Sequence, residues 1–252
     1  MSEPEPLVGR VAIVTGASRG IGRAVASRLA ELGADLGLMQ RGDAADTVAE
    51  IAATGRRAIV RRVDLSEATV AEEVTGSLIA ELGGVDVLVC NAGVIHREAS
   101  LSVPLATWQK VIDTNLTSTF AVARAAASDM VERGTHGRIV LVSSVLAFQG
   151  GLNVSAYAAS KAGVGNLARA LANEWAAFGI NVNAVAPGYV ENEQTAALRA
   201  DPLRKGQIDE RIPAGAWCTV EAIADAVTYL VLPGSEYVHG HTLVVDGGWL
   251  GR

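Results

Sequence analysis

The stretch Val11 to Gly22, VAIVTGASRGIG, decides the predicted fold. A short β-branched run leads into a glycine-rich turn with G-x-x-x-G-x-G spacing, and a helix-like stretch follows from Arg23 to Leu32. Glycines let the backbone approach phosphate oxygens closely, and a helix N-terminus offers free N–H groups to an anion. This context predicts a dinucleotide-binding loop, although a tight turn alone would use the same glycines. The candidate contacts are Gly16, Ser18, Arg19, Gly20, Ile21 and Gly22.

The rest of the chain repeats the alternation of short β-branched runs and longer helix-like stretches. Seven strands alternating with helices indicate a parallel sheet, and runs that are apolar throughout, such as RIVLVS, indicate cover on both faces. The sequence therefore predicts one α/β domain over residues 1–252, a doubly wound seven-stranded sheet with helices on both faces. The predicted strands are Val11–Thr15, Ala34–Gln40, Ala58–Val63, Val85–Cys90, Arg138–Ser143, Ile180–Ala186 and Thr242–Asp246.

The composition excludes several classes of protein. The 252 residues carry 21 basic and 27 acidic side chains, for a net charge of -6, so nucleic acid and anionic membranes are not expected partners. The start MSEPEP does not resemble a signal peptide, and no apolar run is long enough to span a bilayer. Because the chain has only two cysteines, we expect a soluble cytoplasmic protein without disulfides. No Cys/His cluster predicts a metal site.

Side chains at the ends of the second, third and fourth strands are candidates for cofactor contacts. Gln40 and Arg41 end the second strand, where a basic residue binds the 2′-phosphate of NADP and an acidic one binds the ribose of NAD. Arg41 and Arg19 together favour NADP, unless both are merely solvated. Asp64, before Leu65, either bonds an adenine amino group or caps the next helix, with capping favoured. Small side chains in the turn after the fourth strand would let a cofactor lie over it: Asn91, Ala92 and Gly93.

Tyr157 and Lys161 indicate proton-transfer chemistry. They are four residues apart in YAASK, within the helix-like stretch Tyr157 to Phe178, so both project from one helix face. A neighbouring ammonium stabilises a phenolate and lowers the pKa of the phenol. Tyr157 is therefore predicted to exchange a proton with an alcohol or ketone during hydride transfer.

Two polar residues complete the predicted catalytic set. Ser144 ends the fifth strand, where its hydroxyl could bond the substrate oxygen, with Ser143 as the rival candidate. Asn115 lies in a helix-like stretch, where it could bend the helix or anchor a water relay to Lys161. A serine hydrolase is disfavoured because the chain has no G-x-S-x-G motif.

These motifs, taken in order, resemble the short-chain dehydrogenase/reductase family from about Leu7 to the C-terminus. The resemblance implies a Rossmann fold and a homotetramer. It also implies that Ser144 orients a substrate carbonyl, Lys161 binds the nicotinamide ribose and Asn115 holds a relay water. The family usually has Asn at Cys90 and Thr at Asn192. Further cofactor contacts implied by the resemblance are Tyr157, Pro187, Gly188 and Val190.

Segments such as RIPAGAW and VDGGWLGR resemble family members that act on keto-deoxy sugar acids, usually with NAD. That cofactor conflicts with the two arginines, so the choice between NAD and NADP stays open. The weakly patterned segment 188–217 is predicted to be a substrate loop or lid. Candidate substrate contacts, besides Ser144 and Tyr157, are Arg97, Gln149, Tyr189 and Arg211.

Two other functions fit parts of the pattern. A 3-oxoacyl thioester reductase of fatty-acid synthesis would use the same catalytic residues, and a basic surface for an acidic carrier protein would distinguish it. A non-catalytic dinucleotide sensor is disfavoured, because sensing would not require Ser144, Tyr157 and Lys161 together.

Overall fold

Seven parallel strands form one sheet in residues 5–252, the part of the chain that this computed structural model describes. Residues 1–4 of the predicted domain lie outside the described residues. All seven predicted strands are confirmed, and no strand end is shifted by more than two residues. They are β1 Val11–Thr15, β2 Asp35–Gln40, β3 Ala58–Arg62, β4 Val87–Cys90, β5 Arg138–Val142, β6 Asn181–Pro187 and β7 Thr242–Val245.

The strand order is β3-β2-β1-β4-β5-β6-β7. The chain winds outward from β1 to one edge, returns to β4 and winds to the other edge, which is the doubly wound arrangement of a Rossmann fold. Helices cover both faces of the sheet, so the predicted fold class is confirmed. The α-helices are α1 Gly20–Glu31, α2 Ala45–Ala53, α3 Ala68–Leu82, α4 Leu105–Ile112, α5 Ser118–Arg133, α6 Leu146–Gln149, α7 Ser155–Trp175, α8 Ala196–Ala200, α9 Pro202–Asp209 and α10 Val220–Val231.

Burial on both faces explains why the strands are apolar throughout. In β1, Ile13 packs in the core under α3, α5 and α7, whereas its neighbours Ala12 and Val14 pack in the core under α1 and α10. Because successive side chains of a strand point to opposite faces, an apolar residue is needed at every position. In the described residues, no helix is long and apolar enough to cross a membrane.

The helix-like stretch that contains Asn115 runs from Leu105 to Arg133 without a break but widens into a π-helical turn. Helices α4 and α5 are joined by the π-helical residues Asp113–Thr117, with Asn115 at their centre. The Asn115 side chain bonds the backbone of Val94 and the hydroxyl of Ser160. A distortion at Asn115 agrees with its poor helix propensity, and π-turns of this kind are frequent at functional sites.

Residues 188–217 are more regular than their weak sequence pattern suggested. They contain the 3₁₀ turn Glu193–Thr195 and helices α8 and α9. Their apolar side chains, including Ile208 and Trp217, pack with Trp249 near the C-terminus in a cluster separate from the two sheet cores. This cluster joins short helices and loops and does not pack on the sheet. Its residues therefore show no helical or strand periodicity from which it could be predicted.

Candidate active site

Ser144, Tyr157 and Lys161 line one cavity of about 430 Å³ beyond the carboxyl ends of the strands. Ser144 lies just after β5, and the other two residues lie on α7. The Ser144 Oγ accepts a hydrogen bond from the Leu146 N–H at 3.2 Å. The rival Ser143 also lines the cavity, but its hydroxyl donates to the Lys161 carbonyl oxygen at 2.8 Å. Ser144 is therefore the hydroxyl that remains able to donate towards a substrate.

The Tyr157 side chain is partly buried. This burial raises the pKa of its phenol, while hydrogen bonding to Ser144 and the charge of Arg97 oppose the rise. A phenol with a raised pKa keeps its proton at neutral pH, which suits a proton donor to a ketone oxygen. Sequence reasoning expected Lys161 to lower this pKa, and that expectation was wrong. The Lys161 Nζ lies 5.8 Å from the centroid of the Tyr157 ring, and burial outweighs the interactions that favour the phenolate.

Lys161 is held by the strand beside it. Its Nζ donates to the Val142 carbonyl oxygen at 2.7 Å, and the residue is 3% exposed. Burial lowers the pKa of Lys161 from 10.5 to about 8. Although Lys161 is closer to neutrality than an exposed lysine, it remains mostly charged at pH 7.

Asn115 is fully buried and lies close to Lys161. Its Oδ1 accepts from the Val94 N–H at 2.8 Å, and its Nδ2 donates to the Val94 carbonyl at 2.9 Å and to Ser160 Oγ at 3.0 Å. A Cβ on Gly93 would lie 3.3 Å from the Asn115 Oδ1 and 3.4 Å from the Lys161 Nζ. Asn115 thus positions the turn after β4 beside Lys161, and its relay role stays a prediction.

The glycine loop packs tightly against the turn after β4. A Cβ on Gly22 would lie 2.2 Å from the Gly16 carbonyl oxygen and 2.5 Å from Asn91 Nδ2. Asn91 Nδ2 donates to the carbonyl oxygens of Thr15 and Gly16 at 3.1 and 3.2 Å. Sequence reasoning missed Thr15, whose hydroxyl accepts from the N–H groups of Asn91 and Ala92, both at 3.0 Å. Glycine at Gly16 and Gly22 is therefore required by backbone proximity.

The end of β2 offers polar atoms to a ligand. Gln40 is 2% exposed, and among the described residues neither its Nε2 nor its Oε1 has a hydrogen-bond partner. Buried amide groups are rarely left unpaired, so this side chain fits the ribose end of a dinucleotide. Arg41 lies close enough to Asp64 to lower the pKa of that carboxyl. Arg19 pairs instead with Glu193 in the 188–217 segment.

Asp64 does not cap the following helix, so the favoured role was wrong. Helix α3 begins at Ala68 after Glu67, and the Asp64 Oδ1 accepts from the N–H and the hydroxyl of Ser66 at 3.0 and 2.9 Å. The carboxylate closes a turn that precedes the helix. These two hydrogen bonds are the main cause of its lowered pKa. Leu65 is buried, whereas Asp64 is exposed and remains available to an adenine.

Only two of the additional substrate candidates line the cavity. Arg97 and Tyr189 do so, whereas Gln149 and Arg211 are not among its lining residues. The Arg211 Nη2 donates to Gln149 Oε1 at 2.9 Å, and its guanidinium stacks 4.0 Å from the Trp249 ring centroid. Their polar groups therefore satisfy each other beside the cavity.

The cavity is also lined by residues that sequence reasoning missed. Arg204 of α9 and Asn153 before α7 line it, and nothing in their local sequence distinguishes them from surface residues. The expected cofactor contacts Pro187, Gly188 and Val190 line the same cavity. Its charged lining residues in the described chain are the cations Arg97, Lys161 and Arg204, and no carboxylate is among them.

Over nearly its whole length, the chain is similar to known dehydrogenases and reductases. A family model described as enoyl-(acyl carrier protein) reductase matches residues 16–250. The 2-dehydro-3-deoxy-D-gluconate 5-dehydrogenase of Escherichia coli K12 is 40% identical over 98% of this chain and 97% of its own. The 3-oxoacyl-(acyl-carrier-protein) reductase of the same strain is 37% identical over 95% and 97%. A crystal structure from Agrobacterium tumefaciens with bound NADP, assigned as a 2-deoxy-D-gluconate 3-dehydrogenase, is 44% identical with a TM-score of 0.93, covering 99% and 100%.

Proposed function

Because the chain belongs to the short-chain dehydrogenase/reductase family, we propose that it transfers hydride between a nicotinamide dinucleotide and a keto-deoxy sugar acid. The observation that carries this proposal is the convergence of Ser144, Tyr157 and Lys161 on one cavity at the strand ends. Turnover of 2-deoxy-D-gluconate, followed by the near-ultraviolet absorbance of the reduced nicotinamide, tests it.

Each catalytic side chain has one task in this proposal. Ser144 donates a hydrogen bond to the substrate oxygen, and the Tyr157 phenol gives that oxygen its proton in reduction or takes it in oxidation. Lys161 keeps a positive charge near the phenol, which favours the phenolate once the proton has left. The nicotinamide, when bound, supplies or accepts the hydride.

We propose that the glycine loop, the turn after β4 and Gln40 hold the dinucleotide. The close packing of Gly16 against Gly22 and the unpaired Gln40 amide support this placement. Arg19 and Arg41 favour NADP, as does the bound NADP of the Agrobacterium structure. NAD remains the alternative implied by the sugar-acid resemblance.

The charge of the cavity favours a sugar acid over an acyl thioester. Arg97 makes one hydrogen bond, to the Gln194 carbonyl oxygen at 3.3 Å, and Arg204 bonds the neutral Gln207 Oε1 at 2.8 Å. Within residues 5–252, neither guanidinium has a carboxylate partner, so both can receive an anionic group. Arginine is well suited to a carboxylate because its planar fork can donate two parallel hydrogen bonds.

Further proposals concern the surroundings of the site. The 188–217 segment, which supplies Tyr189 and Arg204 to the cavity, is proposed to act as the substrate lid.

The exposed apolar side chains of Leu105 and Phe120 support a contact between copies, as expected for the proposed homotetramer. Free thiols at Cys90 and Cys218 suit the proposed cytoplasmic location.

Replacing Arg97 tests the anionic substrate. We expect Arg97→Gln to raise KM for 2-deoxy-D-gluconate by about tenfold or more, because a charge-assisted hydrogen bond is lost. The KM for an acetoacetyl thioester should change little. Steady-state kinetics would be compared with Arg169→Gln, which removes an exposed arginine of α7 that does not line the cavity. An equal loss with both substrates would refute carboxylate binding by Arg97.

A further inference from the structure

The contact between Arg19 and Glu193 joins the predicted cofactor loop to the substrate lid. Arg19 is the residue immediately before α1, and Glu193 begins the 3₁₀ turn of the lid segment 188–217. The two side chains form an ion pair although they are 174 residues apart in the chain. In the proposed function, the glycine loop binds the dinucleotide and the 188–217 segment covers the substrate. The ion pair therefore links the cofactor site to the substrate lid.

The turn that carries Glu193 has a defined geometry. Asn192 Oδ1 accepts from the Thr195 N–H at 3.2 Å, and the Asn192 N–H donates to Thr195 Oγ1 at 3.3 Å, forming a capping box. The Thr195 hydroxyl also donates to the Val190 carbonyl oxygen at 2.6 Å. Val190 also forms an isolated parallel β-bridge with Cys218. These hydrogen bonds therefore fix the turn to the start of the 188–217 segment. Glu193 therefore lies in a turn whose conformation is fixed by hydrogen bonds, and its side chain contacts Arg19.

A carboxylate at this position should weaken the binding of NADP and leave the binding of NAD unaffected. The 2′-phosphate of NADP carries a charge near -2 at neutral pH, comparable to a phosphorylated side chain, and guanidinium is its preferred partner. NAD has a hydroxyl at that position and makes no demand on Arg19. Glu193 would both occupy the Arg19 guanidinium and repel the phosphate, whereas NAD binding would leave the ion pair intact.

We propose that Glu193 is a cofactor-selecting residue that competes with the 2′-phosphate of NADP for Arg19 and so shifts the preference towards NAD. The competition also couples the nucleotide to the lid, because NADP binding releases the lid from the glycine loop. This inference rests on dinucleotide binding at the glycine loop and is independent of the sugar-acid substrate. Both side chains are more than half exposed, at 69% and 66%, so the effect is moderate and decreases with salt.

The test is equilibrium binding of NADH and NADPH to the full-length protein, measured by nicotinamide fluorescence. We expect Glu193→Gln to tighten NADPH relative to NADH by about three- to tenfold at low salt, the effect of a surface charge pair with the added repulsion removed. The gain should shrink at high salt. In an Arg19→Gln background the same substitution should give a smaller gain, because only the repulsion remains.

A control comes from the same lid turn. Glu191 is an exposed carboxylate two residues earlier whose side chain forms no ion pair within the described chain, so Glu191→Gln should leave the ratio of affinities unchanged. An unchanged ratio in Glu193→Gln, or an equal gain in Glu191→Gln, would overturn the competition while leaving dinucleotide binding intact. Failure of the wild-type protein to bind either nucleotide would overturn both proposals.

Discussion

Tyr157→Phe should lower kcat by about 10²–10⁴-fold while leaving nucleotide affinity unchanged, because the variant removes the hydroxyl that transfers the proton and preserves the aromatic ring. Burial raises the pKa of Tyr157, so its phenol is protonated at neutral pH, and it lines the same cavity as Ser144. Initial-rate assays with a sugar acid measure the change in kcat, and fluorescence titration with reduced nucleotide measures the nucleotide affinity.

The matched control removes a hydroxyl from the same cavity. Tyr189 also lines it, but its ring packs against Trp217 and Trp249 at centroid distances of 5.3 and 4.7 Å. Tyr189→Phe should therefore retain kcat and change KM at most. A Tyr157→Phe protein with near-normal kcat would remove Tyr157 from the reaction.

Gly22→Ala should damage both folding and nucleotide binding. The added Cβ would meet the Gly16 carbonyl oxygen at 2.2 Å and Asn91 Nδ2 at 2.5 Å, so the loop and the turn after β4 must separate. Overpacking of this kind lowers the free energy of unfolding by about 1–3 kcal/mol. Nucleotide affinity should fall further, because the displaced backbone forms the predicted phosphate site. Urea unfolding and fluorescence titration measure the two losses.

Gly76→Ala provides the control for helix propensity. Gly76 lies within α3 on the surface, and a Cβ there would meet nothing within 4 Å. The substitution should stabilise the protein by about 0.5–1 kcal/mol without changing nucleotide affinity. If Gly22→Ala behaved in the same way, the close packing of the glycine loop would be irrelevant to its function.

Local patterns were sufficient to predict the sheet and to bring Ser144, Tyr157 and Lys161 to one site. Ile13 and its neighbours in β1 are apolar at every position because both faces of the strand are buried. Tyr157 and Lys161 share a helix face because of their spacing, and Ser144 follows a strand that ends beside that helix. Each of these inferences depends on residues close together in sequence or on the common edge of a parallel sheet.

Contacts between distant parts of the chain could not be predicted in this way. Arg211 was expected to bind substrate, but its guanidinium lies against Trp249 and bonds Gln149. Arg204 reaches the cavity because α9 packs on the C-terminal residues. The pairing of Arg19 with Glu193 likewise depends on how residues 188–217 settle over the sheet. Such contacts leave no periodic pattern in the sequence, so they could not be predicted from it.

The proposed sugar-acid activity is tested most directly by a substrate comparison. Oxidation of 2-deoxy-D-gluconate and reduction of an acetoacetyl thioester would be measured by nicotinamide absorbance, each with both nucleotides, using Tyr157→Phe as the blank. We predict Tyr157-dependent turnover of the sugar acid at a kcat/KM well above that of the thioester. Turnover of the thioester alone would contradict the sugar-acid proposal and place the protein among the 3-oxoacyl reductases, whereas nucleotide binding without turnover of either substrate would contradict it in favour of a sensor.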